Sequence, residues 1–258
     1  MKILRIVLIV CIASILVFAG LIARELYTDW QSRSFYSNLA RDTETRYPVL
    51  VMDSSGEDGE EAEGQVTSDW RPYVDFRALS YELPGLIGWI KLEGTQLDYP
   101  VMQTSDNDYF LTHLPDGEPH RSGSIFLDYR NSNDFSDKSI IIYGHESRVD
   151  DMFGTLKHYR KQEFYNENPY LYLYTPTQDY MIVPFAVYLA HPVLDHPPLY
   201  FEDDEVFLDY IESLKEVNLI NTNIGVAGED RIVSLVTCAY DFSNARLIVV
   251  GLIVEIWE

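Results

Sequence analysis

The chain has 258 residues, with 41 acidic against 19 basic side chains, a formal charge of −22, and a globular composition that is 47% hydrophobic. So acidic a balance excludes the basic patch that nucleic acid or an anionic membrane surface would need in a partner. Only two cysteines are present, Cys11 inside an apolar run and Cys238 in the polar remainder, so no disulfide joins them and one thiol stands alone.

Lys2 and Arg5 precede eighteen residues, 6–23, that carry no charge. As a helix rising about 1.5 Å per residue, such a run nearly matches a hydrocarbon core of roughly 30 Å. A charged N-terminus ahead of a first span favours that end staying inside, with the rest exported. A cleaved signal peptide is the rival reading, but its apolar region is normally shorter. The expected organisation is a cytoplasmic tip and signal anchor over 1–24, a juxtamembrane segment and acidic linker over 25–69, and an extracellular domain over 70–258. Residues 24–47 can continue the helix on an irregular apolar stripe through Leu26, Trp30, Tyr36 and Leu39. Residues 52–69 are rich in Gly, Ser and acid and have almost nothing to bury, so they read as a solvated spacer.

From Trp70 the spacing of Val74, Phe76, Leu79 and Leu83 predicts a helix that Pro84-Gly85 stops. Eight β-branched and aromatic runs follow: IGWIKL, QLDYPVMQ, GSIFLDY, SIIIYGH, YLYLYTP, QDYMIVPFAVYLAH, RIVSLVTCAY and ARLIVVGLIVEIW. They are short and separated by Gly, Pro, Asn and Asp clusters, which predicts a mostly β fold, a closed or nearly closed barrel. Two helical inserts interrupt it, at 150–168 and 202–218. The second opens with acids and lines up Phe207, Tyr210, Ile211 and Leu214 on one face.

Three residues carry candidate chemistry. His145 ends one apolar run, Cys238 ends another, and Arg246 opens the run after a short turn. A cysteine at one strand end and an arginine at the start of the next antiparallel strand can face each other across a hairpin. The cation would lower the thiol pKa or stabilise an oxyanion, and the histidine would carry protons. Taken singly, each has an ordinary reading: a buried cysteine packing as a small hydrophobe, a turn histidine, a surface cation. His191, Asp195 and His196 could be metal ligands, but their Pro-rich setting favours a loop.

The stretch Ser234-Leu235-Val236-Thr237-Cys238, with Arg246 eight residues on and IIIYGH upstream, resembles the sortase family of membrane-anchored cysteine transpeptidases of Gram-positive bacteria. The family pattern is Thr-Leu-x-Thr-Cys followed by Arg, and Ser234 replaces its first threonine while keeping a hydroxyl. GWIKLEGTQLDYPVMQ, SIFLDYRN and 143–176 are similar in order and spacing to the class B branch, as is the insert at 202–218. The resemblance implies an eight-stranded sortase-type barrel with N-terminal helices and a helical insertion before the Cys-bearing strand. It implies Cys238 as nucleophile on the threonine carbonyl of a C-terminal sorting signal, of the NPxT or LPxTG kind, on a secreted protein. His145 would be general acid and base, Arg246 the oxyanion and substrate clamp, and the Ala239 N–H a second donor, with Ser234 and Thr237 near the substrate. No metal or organic cofactor is implied. The acceptor would be a peptidoglycan cross-bridge amine or a pilin lysine. A cysteine endopeptidase and a non-catalytic membrane-tethered binding domain are the competing readings.

Overall fold

The computed structural model describes residues 2–43, 74–146, 150–191, 196–238 and 246–256. The acidic spacer at 52–69 lies outside the described residues, as do Asp195 and Ala239. Helix α1, Lys2–Thr43, runs without a break through the apolar stretch into the juxtamembrane segment. Its apolar half is exposed, and it is long and apolar enough to cross a membrane. The other half docks: Tyr36 and Leu39 are buried, the Tyr36 hydroxyl donates to the Gly123 carbonyl at 2.8 Å, and its ring meets Tyr99 edge-on at 4.9 Å. The irregular stripe of the sequence is thus a docking face covering only the C-terminal turns.

The helix expected around residues 74–83 is a single turn, α2, Phe76–Leu79, capped by the Asp75 carboxylate accepting from the Ala78 N–H. Val74 and Leu83 are both buried, but a turn joins them. Pro84 disfavours helix at Leu83, and Gly85, at φ +97°, lets the backbone pass where a Cβ would stand 2.6 Å from the Gln103 carbonyl.

Each of the eight apolar runs forms a strand: β1 Leu86–Lys91, β2 Asp98–Met102, β3 Ile125–Leu127, β4 Ser139–Tyr143, β5 Leu171–Tyr174, β6 Asp179–Ala190, β7 Ile232–Cys238 and β8 Arg246–Ile256. They close into a barrel in the order β1-β2-β3-β4-β7-β8-β6-β5. Closure leaves no free sheet edge. β4 and β7 run parallel, whereas β7 and β8 form an antiparallel pair. The long β6–β8 ladder slips between Pro184 and Ala186, where proline has no N–H to give. Gly251 sits opposite Pro184, and a Cβ there would stand 2.7 Å from the Ile182 side chain.

Alternation along the strands sorts the core into two faces. Ile140, Ile142, Val233, Leu235, Leu247 and Val249 point into one cluster with Phe153, Leu156 and Tyr159. The last three come from a 3₁₀ run, Phe153–Arg160, within the first insert; a short helix, α3 Gln162–Glu167, follows it. Ile141, Ile232, Val236, Ile248 and Val250 point the other way and pack with Phe207, Ile211 and Leu214 of α4, Asp204–Val217. α4 is the second insert, N-capped by Asp203, whose carboxylate accepts from the Val206 N–H at 2.9 Å.

Candidate active site

The ends of β4, β7 and β8 meet at one edge of the barrel. Parallel register pairs Ser139 with Ile232 and Tyr143 with Val236, and the Gly144 N–H still donates to the Val236 carbonyl at 3.1 Å. Carried two residues beyond the strand, the same register brings His145 level with Cys238. On the far side of β7, Cys238 pairs directly with Arg246. Positions 145, 238 and 246 therefore form a row across three neighbouring strands. By parity they share the face of Ile141, Val236 and Ile248, which lower down is covered by α4. His145 is exposed and Arg246 half-buried.

The backbone around His145 is tightly specified. At Gly144, a Cβ would stand 2.6 Å from the Phe153 ring, so any side chain would drive the end of β4 off its support. Phe153 also donates its N–H to the His145 carbonyl at 3.1 Å, and Glu146 bridges Met152. Asp150 and Met152 hold φ of 63° and 54°, in the left-handed region that non-glycine residues seldom occupy. The Thr155 hydroxyl donates to the Asp150 carbonyl at 2.8 Å, and Lys157 and His158 pair with its carboxylate, which keeps this strained turn in place. Neighbouring atoms partly desolvate the His145 ring although it reaches the surface, which lowers it from the ordinary histidine value, and the Arg121 charge acts in the same direction.

Beside the row lies a polar network that residue spacing did not single out. Tyr143, one step below His145 on the same face, donates its hydroxyl to Asp128 Oδ2 at 3.1 Å and contacts His196 Nε2 at 2.9 Å. Asp128 is fully buried and also accepts from Asn107 Nδ2 and twice from the Arg130 guanidinium, at 2.9 and 2.8 Å. Burial alone would raise its carboxyl; the Arg130 bonds outweigh that and hold it below the ordinary carboxylate range. Burial, with the nearby Asp128 charge, pushes the Tyr143 phenol up, while the charge of Arg246 reaches it and pulls the other way. His196 thus serves as a loop residue bonded to Tyr143. The only sequence signal for the network was that Asp128 and Tyr143 each end an apolar run.

The remaining expected residues sit in less accessible places. Ser234 is completely buried, flanked by Ile141 and Val250, on the face that α4 covers. Thr237 is 2% exposed and alternates with Cys238, on the inner side with Leu235. Neither hydroxyl has a hydrogen-bond partner among the described residues. Neither offers a surface that a substrate could touch directly.

A closed eight-stranded β-barrel with an N-terminal helix and helical insertions is the fold of the barrel-type cysteine transpeptidases. No protein-family model matches the chain. Sortase B of Listeria monocytogenes is 36% identical over 171 residues, 66% of this chain and 70% of the relative. Sortase B of Staphylococcus aureus is 29% identical over 257 residues, 99% of this chain and 98% of the relative. A crystal structure of a sortase B complexed with triglycine superposes with a TM-score of 0.74 at 29% identity, covering 89% of this chain and 100% of that one. The chain belongs to the sortase B family. It is a cysteine transpeptidase of the cell-wall anchoring type, acting on secreted proteins that bear a sorting signal and joining them to peptidoglycan, and α1 is its membrane anchor.

Proposed function

We propose that Cys238, His145 and Arg246 are the reacting set. The observation that carries this is the shared register, which makes Cys238 the middle of a row between His145 and Arg246. The Cys238 thiolate attacks the carbonyl carbon of the threonine in a sorting signal, and the oxyanion that forms is stabilised by the Arg246 guanidinium and the Ala239 N–H. His145 takes the Cys238 thiol proton as the sulfur attacks; the C–N bond after threonine then breaks, and the same proton goes to the leaving amine. A thioester remains. An incoming amine gives its proton to His145 and attacks the thioester; the new amide forms and the thiolate leaves. Ser234 and Thr237 act through the strand, by holding β7 against its neighbours.

The signal is of the Asn-Pro-x-Thr or the Leu-Pro-x-Thr kind. The acceptor is a cross-bridge amine with a glycine-like N-terminus, a reading supported by the sortase B solved with triglycine. Lys2 and Arg5 ahead of the apolar run support a single pass, with the N-terminus inside and the barrel outside the cell.

The test is cleavage of quenched signal peptides by the full chain in detergent, with triglycine, other cross-bridge amines or a pilin-lysine peptide added. Amine-dependent ligation that disappears in Cys238→Ala is the expected result. Ligation only to the pilin lysine would reassign the acceptor, and cleavage with no amine product would make the protein a peptidase.

A further inference from the structure

The turn that supports His145 is held from two sides. Asp151 lies between Asp150 and Met152, whose φ of 63° and 54° are both in the left-handed region. Two such residues out of three are costly for side chains with a Cβ, so the turn keeps this shape only where its surroundings impose it. From the barrel side, Thr155, Lys157 and His158 hold Asp150, and the Gly154 N–H donates to the Asp151 carbonyl at 2.8 Å. On the other side stands α1. Arg33 Nε donates to Asp151 Oδ2 at 2.9 Å, although the two are 118 residues apart in the chain. Three residues on, Tyr36 sets its ring edge-on against Tyr99, whose hydroxyl bonds the Met152 backbone. Arg33 and Tyr36 share one helix face, so α1 supports two consecutive residues of the turn.

The turn passes this restraint to the histidine. Glu146 and Met152 form a bridge, and the Phe153 N–H donates to the His145 carbonyl at 3.1 Å. Phe153 also fills the space beside Gly144 that a Cβ would take. A displaced Asp151 would drag Met152 and Phe153 with it, and these are the residues that His145 and Glu146 lean on.

Magnitude separates a positioning role from a structural one. The Arg33 side chain is 50% exposed and that of Asp151 22% exposed. An ion pair this open to water adds little to folding, and α1 keeps Tyr36 and Leu39 buried against the barrel without it. Misplacing a reacting group by about 1 Å, by contrast, can cost about a hundredfold in rate. The bond matters little to stability and more to geometry.

We propose that Asp151 is a positioning residue for His145: clamped by Arg33 of α1, it fixes the turn at 150–153 and through it the place of the His145 backbone beside Cys238. This rests on the reading of His145 as the proton carrier given above.

The experiment uses the full chain in detergent, a free signal peptide with triglycine, and the variants Arg33→Gln, Asp151→Asn and the two combined. Each single change is expected to lower kcat at least fivefold with KM unchanged, while the thermal midpoint moves by no more than about 2–4 °C. The double variant is expected to be no slower than the slower single one, because both changes remove the same bond. Unchanged kcat in either single variant, a rise in KM in place of the fall in kcat, or losses that multiply in the double variant would each overturn the proposal. So would a loss of rate that only follows a loss of folded protein. Failure of the proton-carrier reading is seen separately, as full ligation by His145→Gln in a chain with Arg33 and Asp151 intact.

Discussion

The two faces of β4, β7 and β8 are built from the same strands and end differently. On the inner face, Ile140, Ile142, Val233, Leu235, Leu247 and Val249 are sealed into the barrel cluster. On the outer face Ser234 interrupts the apolar alternation, and α4 covers Ile141, Ile232, Val236, Ile248 and Val250. Beyond them, His145 is exposed and Arg246 half-buried. The inner face sets the register because a one-residue slip would turn its whole apolar set outward. The outer face uses that register where its cover stops. The polar row is held by packing that continues beneath it on both sides of the sheet.

Substitutions on the two faces should therefore separate stability from rate. The largest expected effect is that of Arg246→Ala, which on the proposed mechanism removes one donor to the oxyanion and should lower turnover by about 10²- to 10³-fold with the thermal midpoint nearly unchanged. On the inner face, Leu235→Ala empties a fully buried site close to the row. It should cost about 2–5 kcal/mol in chemical denaturation, with turnover per folded molecule close to wild type. A rate loss for Leu235→Ala comparable to that for Arg246→Ala would erase the distinction. Smaller still is Tyr143→Phe. Asp128 keeps its Arg130 and Asn107 bonds and loses one hydroxyl, so about 1 kcal/mol of stability should go, and a few-fold of rate if the network steadies the site. An unchanged midpoint would show that the phenol bond contributes nothing net.

How much of this was legible before folding follows the same division. Strand runs are written locally, in β-branched and aromatic residues between turn signals, and each of the eight became a strand. The insert before β7 was equally legible, from its acidic first turn and its face of Phe207, Ile211 and Leu214. The parallel pairing of β4 with β7 was not, since nothing local links segments so far apart in the chain. Without it, the level of His145 relative to Cys238 could come only from resemblance. Tyr143, Asp128 and His196 lie on three separate segments that tertiary structure alone brings together. The burial of Ser234 was hidden for a related reason: alternation says which residues share a face, but not which face a helix covers. The helix expected at 74–83 shrank to one turn because its breaker acts backward, through Pro84 on Leu83, as well as forward.

The subtlest expected effect tests whether the open end of the outer face is tuned from outside the barrel. Burial and the Arg121 charge together hold the His145 imidazole below its ordinary value. In the window between that lowered value and the unfolded histidine's value of about 6.5, the unfolded chain binds more protons. Stability from this group is then complete above the unfolded value and is lost as pH falls through the folded one. Arg121→Gln removes the repelling charge. The His145 value should rise, the window should narrow, and the acid limb of the rate profile should move to higher pH. An NMR titration of His145 in both proteins measures this directly, and a value that stays put or falls would mean that burial alone sets the proton affinity of the exposed end.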